Sequence, residues 1–202
     1  MTLAAQSITT QAPSLSAARR AMIDSQLRVS GINQDWLVER FLQVPREDHV
    51  PVSARGHAYI DRAIPVGKGA ALPAPLVQAK LLAEAAPQAN DTVLVISPSG
   101  YLAALVEPLV QSVETVSAAE ALARHSKAKV SLILIDGAVE ALPQGLVDAL
   151  QDGGRIATGL VLRGVTRLAT GQKIDGKVEL APLAEMGIPV LAEFAAPKSW
   201  SF

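Results

Sequence analysis

The run Asp91-Thr-Val-Leu-Val-Ile-Ser-Pro-Ser-Gly-Tyr-Leu-Ala-Ala104 constrains this chain more than any other segment. A short apolar stretch rich in β-branched residues predicts a buried strand, and Ser97-Pro98-Ser99-Gly100 predicts a tight turn. Tyr101 onward predicts an amphipathic helix. Strand, turn and helix in that order form the corner at which α/β sheets hold nucleotides. The turn has a single glycine, Gly100, where a cofactor-binding corner draws on several to bring its backbone against the ligand.

The flanking sequence extends the pattern. A helix is predicted over Ser16–Ser30, capped by Ser16 and stopped by Gly31. A second starts at Asn33, sends Trp36, Leu37, Phe41 and Leu42 toward the core, and ends before Pro45. Residues 45–75, dense in Pro and Gly, read as loop, and Leu76–Ala86 as a third helix. From there strands at Val93–Ser97, Val113–Ser117 and Val130–Asp136 alternate with helices at Gly100–Gln111, Ala118–Ser126 and Pro143–Gln151. Such alternation predicts an α/β, doubly wound, mostly parallel sheet. Strand-like runs at Ile156–Leu162, Thr166–Ala169, Val178–Leu183 and Val190–Phe194 predict a C-terminal antiparallel extension.

Length and composition bound the function. The 202 residues suit one domain, expected over 16–202 behind a mobile tail at 1–15. No apolar run approaches the length of a membrane span, and basic residues follow rather than precede the first small-residue stretch, against a signal peptide. The chain has no cysteine, which excludes thiolate chemistry and fits a cytoplasmic protein. A net charge of −1 argues against nucleic-acid binding. His49, His57 and His125 lack metal-ligand spacing, Gly67-Lys68-Gly69 lacks the other parts of a phosphate loop, and no nucleophile elbow is present.

Several segments together resemble the protein-L-isoaspartate (D-aspartate) O-methyltransferase family. Arg20-Ala-Met22-Ile-Asp-Ser-Gln26-Leu27-Arg28 before Gly31-Ile32 resembles its N-terminal helix, and Val44-Pro45-Arg46-Glu47-Asp-His-Val50-Pro51 its VPRE-x-FVP loop. Ala58-Tyr59-Ile-Asp61 and Ile64-Pro65-Val66-Gly67-Lys-Gly69 resemble its AY-x-D and LPIG-x-G. Val93 to Tyr101 sits where the family has its cofactor motif, and Ile135-Asp136-Gly137-Ala138 and Gly153-Gly154-Arg155 resemble later parts of its sheet. The resemblance implies a Rossmann-like fold, S-adenosylmethionine as cofactor, and a protein or peptide substrate methylated on an isoaspartyl carboxylate. Carried over by position, the cofactor residues are Ser97, Ser99, Gly100, Tyr101, Ser117 and Asp136, and the substrate loop holds Gly67, Gly69, Ala71 and Pro73.

The chain departs from the family at those same positions. Ser97 replaces the glycine before the turn, Pro98 takes the next position, where proline removes an amide donor and fixes φ, and one residue is missing before Ser99-Gly100. Val95 and Ser117 stand where the family has carboxylates, the second of which grips the ribose. Ser117 reads equally as a helix N-cap, and Asp136-Gly137 as a turn. The family's G-Q-T-I-S-Q-P loop is here Gly69-Ala70-Ala71-Leu72-Pro73-Ala74-Pro75, without side-chain donors. The short link from Lys127 to Val130 predicts one strand fewer than the family. No residue qualifies as catalytic or metal-binding. Two functions stay open: an S-adenosylmethionine-dependent isoaspartyl methyltransferase, or a non-catalytic binding or assembly module with an unknown protein partner. A different small ligand near Ser99 and Asp136 is a third.

Overall fold

The structure is a computed structural model that describes residues 14–123 and 129–196. Helix α1 (Leu15–Met22) takes in the last residue of the expected tail, and the Ser14 hydroxyl rather than Ser16 caps it, accepting from Ala17 N. The helical path continues through a π turn at Ile23–Leu27 and a 3-10 turn at Arg28–Ser30, and stops at Gly31. Helix α2 (Asp35–Gln43) buries Leu37, Val38 and Phe41. Leu42, expected inside, is exposed and Trp36 only half-buried, because the inward stripe falls on the 37–38–41 face.

The loop expected over 45–75 has more structure than its Pro and Gly content indicates. Two 3-10 segments (Arg46–His49 and Val52–His57) lead into a hairpin of β1 (Ile64–Gly67) and β2 (Ala70–Leu72). Pro65 sits in a strand of a two-stranded ribbon, where the missing amide costs little. Helix α3 (Pro75–Ala85) has proline in its first turn, where no intrahelical donor is lost.

The main sheet has six strands among the described residues: β3 (Thr92–Ile96), β4 (Ser112–Val116), β5 (Val130–Val139), β6 (Leu150–Leu162), β7 (Val165–Ile174) and β8 (Lys177–Glu185). Their order is β4-β3-β5-β6-β7-β8; the first four are parallel and the last two antiparallel. Helices α4 (Tyr101–Val106), α5 (Ala118–Leu122) and α6 (Gln144–Ala149) make the crossovers. The helix expected to reach Ser126 ends at Leu122 with Ala123 as its cap, and residues 124–126 lie outside the described residues.

Alternate side chains of each strand leave on opposite faces, and so build two cores. Val93, Val95, Leu132 and Leu134 pack with α2, α3 and α4. Leu94, Ile96, Ile133 and Ile135 pack with Ala121, Leu146 and Phe194. This double burial is the reason the strands read as continuous apolar runs.

The strand expected at Val190–Phe194 is instead a strap. Val190 makes one parallel bridge to Ala138, and Ala192–Phe194 turn into a 3-10 segment. Ala138 N donates to Pro189 O at 2.7 Å and Leu191 N to Ala138 O at 2.9 Å. Leu191 lies over Gly137 so closely that a Cβ there would meet its Cγ at 2.6 Å. Among the described residues no helix is long and apolar enough to cross a membrane. Residues 1–13, Trp200 and Phe202 lie outside the described residues.

Candidate functional site

The order of strands in the sheet reverses between β3 and β5: one crossover leads outward to β4, the others to β6 and beyond. The crevice above the carboxyl ends of β3 and β5 is where such folds hold ligands. In this chain it is occupied by its own side chains. Asp136, on β5, is fully buried at a register irregularity between Leu134 and Ala138. Its carboxylate accepts from Ser97 Oγ at 2.8 Å and from Gln78 Nε2 at 2.8 and 3.0 Å. Ser97 Oγ in turn accepts Gly100 N at 3.1 Å and Ser99 N at 3.4 Å, which pins the turn.

Behind Gln78 stands Arg46, fully buried. Its Nη1 donates to Gln78 Oε1 at 2.5 Å and its Nε to Ala58 O at 2.8 Å, while Nη2 donates to Pro73 O. The guanidinium also lies 5.1 Å from the centroid of the Tyr101 ring. A cation and an anion are thus joined through one amide that donates to the acid and accepts from the base. Burial pushes the Asp136 carboxyl up to about 6, against the hydrogen bonds from Gln78 and Ser97 and the Arg46 charge, which act the other way. Burial likewise lowers the Arg46 pKa.

A second layer fixes the Arg46 loop from the N-terminal helix. Arg19 donates to Tyr59 Oη at 2.7 Å and to Glu47 Oε1 at 3.0 Å, and Tyr59 Oη donates to Glu47. His49 Nδ1 lies 3.1 Å from Ser99 O and its ring 5.3 Å from that of Tyr101. The VPRE segment therefore holds the β3–α4 turn from one side as Asp136 holds it from the other.

The open space lies elsewhere. A cleft of about 560 Å³ sits past the ends of β3 and β4, between the β1–β2 turn, the first turn of α5 and the strap. Gly67, Gly69, Ala71 and Ser117 line it, as does Pro98. Ser97, Ser99, Gly100, Tyr101, Asp136 and Pro73 do not. Tyr101 is fully buried against Phe41 and His49. Gly100 caps α4 with φ 75°, a conformation that glycine adopts without strain. Ser99 Oγ accepts from Tyr101 N at 3.2 Å.

Ser117 borders the cleft with its hydroxyl already committed. It forms a capping box with Glu120: its Oγ accepts Glu120 N at 3.3 Å and donates to Glu120 Oε2 at 2.7 Å, while Ser117 N donates to the same carboxylate. These bonds hold the exposed Glu120 carboxyl below its ordinary range. The charged residues that line the cleft are Lys68 and Glu193. Among the described residues no cluster of His, Asp and Glu is arranged to hold a metal ion.

Sequence reasoning did not identify Arg46, Gln78, Lys68 or Glu193 as site residues. Gln78 carried the one available signal, a polar residue inside the otherwise apolar first turns of α3.

Comparison with known proteins gives a consistent picture. The family described as Protein-L-isoaspartate(D-aspartate) O-methyltransferase matches residues 17–133. A protein-L-isoaspartate O-methyltransferase of Methanoculleus marisnigri is 29% identical over 203 residues, covering 87% of this chain and 92% of its own. One from Chlorobium phaeovibrioides is 40% identical over 119 residues, covering 55% of this chain and 52% of its own. A solved Plasmodium falciparum β-aspartate methyltransferase, in complex with S-adenosyl-L-homocysteine, superposes with a TM-score of 0.67 at 18% identity. It covers 87% of this chain and 98% of that one, a likeness of fold.

Proposed function

Because this chain belongs to the protein-L-isoaspartate(D-aspartate) O-methyltransferase family, we propose that it is a member whose methyl transfer has been lost, kept as a non-catalytic binding or assembly module. The family's reaction needs a cofactor gripped at the ends of the first two sheet strands and a substrate carboxylate held in line with the donated methyl. The residues present do not fit that cofactor. Ser117, at the end of β4, has its hydroxyl engaged by Glu120. Pro98 offers no amide in the turn, and the cleft wall on α5 is Ala118 and Ala119. The loop for the substrate presents Ala71 and Pro73, and the Pro73 carbonyl is held by Arg46.

One observation carries this reading: four polar side chains at the switch point are satisfied by each other, while the buried Tyr101 hydroxyl beside Arg46 has no hydrogen-bond partner among the described residues. Asp136, Ser97, Gln78 and Arg46 form a closed buried set, and polar atoms already paired have little left to offer a ligand. A hydrogen bond to a charged acceptor contributes roughly 1.5–3 kcal/mol, so loss of a bidentate ribose contact weakens binding by about two to four decades.

Isothermal calorimetry with S-adenosylmethionine and S-adenosylhomocysteine tests the reading, together with methyl transfer to an isoaspartyl peptide. We expect no binding heat at millimolar ligand and no methylation above background. A dissociation constant in the micromolar range, or turnover, overturns it and leaves the chain a methyltransferase acting on protein or peptide carboxylates.

A further inference from the structure

The cleft remains open although its polar handholds are engaged elsewhere, and its size lies in the range of small-molecule sites. Its walls are mixed, with Val66, Ala71, Ile96, Pro98, Val190 and Leu191 forming the apolar part. Two charged residues of opposite sign line it from different segments, Lys68 in the β1–β2 turn and Glu193 in the strap. Among the described residues neither forms an ion pair or hydrogen bond, with the other or with any third group. The cleft therefore pairs a patch of apolar side chains with one uncommitted cation and one uncommitted anion.

We propose that this cleft binds a small zwitterion with an apolar body, of which an apolar α-amino acid is the simplest form. Its carboxylate meets Lys68 and its ammonium meets Glu193. A purely anionic ligand would face Glu193 unpaired and a purely cationic one would face Lys68, so each loses part of what the other charge supplies. A polyhydroxylated ligand finds its one hydroxyl partner, Ser117, already bonded. Removal of apolar side-chain surface from water supplies the remaining affinity. The inference takes the cleft as free of the family's cofactor and so rests on the non-catalytic reading.

The test uses the full chain and amide chemical-shift titration with L-phenylalanine and L-methionine. Two blocked forms accompany them: N-acetyl-L-phenylalanine, lacking the ammonium, and L-phenylalanine methyl ester, lacking the carboxylate. The free amino acids should shift cleft amides, and each blocked form should bind about tenfold more weakly, the loss of one charge-assisted contact. Lys68→Gln should make free acid and methyl ester bind alike, and Glu193→Gln should do the same for free and acetylated forms. Both side chains are on the surface, so neither substitution threatens folding. No shift with either amino acid at millimolar concentration, or equal binding of blocked and free forms to the unaltered chain, overturns the proposal. The two readings fail separately. Tight S-adenosylmethionine binding defeats the non-catalytic reading, whereas silent amino acids beside a silent S-adenosylmethionine defeat only the zwitterion.

Discussion

Ser97 Oγ donates to Asp136 Oδ2 at 2.8 Å between two adjacent parallel strands, at the point where the strand order reverses. The two residues stand where this architecture leaves room for a ligand, and they face each other instead. With Gln78 and Arg46 they turn a ligand crevice into a buried polar plug.

The pH dependence of stability follows from the burial of Asp136. Its folded pKa, about 6, lies above the ordinary 3.8, so the native state binds the extra proton between those values. This group's contribution is therefore fully present below 3.8 and is lost as pH rises through about 6. Urea unfolding should show a gain of a few kcal/mol from this group on acidification across that window, the size of a two-unit shift. Asp136→Asn should flatten the window. A wild-type midpoint that falls there while the variant's stays level would show the Arg46 charge outweighing desolvation.

Arg46 should be the costliest single residue in the network to change. Arg46→Met removes three donors and leaves the Ala58 and Pro73 carbonyls and Gln78 Oε1 unpaired, next to a buried acid. We expect about 3–5 kcal/mol of lost stability by chemical denaturation. Arg46→Lys, which keeps the charge without the planar fork, should recover only part of it. A change under about 1 kcal/mol for Arg46→Met would mean that the network is open to water.

Ser117→Ala separates capping from ligand recognition. Removing the Ser117–Glu120 box should cost about 1 kcal/mol and leave the affinity of any cleft ligand unchanged. Unchanged stability with weakened ligand binding would reverse that assignment.

Gly137 and Leu191 should behave as a coupled pair. A Cβ at residue 137 meets the Leu191 side chain at 2.6–3.0 Å, so Gly137→Ala displaces the strap at about 1–3 kcal/mol. In a Leu191→Ala background the same change should cost much less. Additive costs in this double-mutant cycle would mean that the strap does not hold Gly137 at its native spacing.

Much of the fold was legible along the chain. Val93 to Ile96 and Leu132 to Ile135 announce strands buried on both faces, and Gly31 and Pro75 mark helix boundaries. The β1–β2 hairpin was hidden because Pro65 and the glycines around Lys68 look like loop; pairing of Pro65 with Ala71 makes the ribbon. The strap read as a strand because Val190 to Phe194 is apolar, but apolarity reports burial and not ladder pairing. Val190 has one bridge partner, and beyond it Leu191 bends over Gly137.

The chain's order of residues settled the alternating strands and helices of the main sheet and the family they belong to, because strand and helix patterning is local and the motif segments follow one another in register. It also showed that turn, ribose position and substrate loop had changed together. Whether Ser97 and Asp136 faced a ligand or each other depended on Arg46 and Gln78, 32 residues apart from each other, with Gln78 58 residues from Asp136. Pairing of buried polar groups depends on distance in space, and only the packed sheet brings that cation, amide and acid within hydrogen-bonding reach.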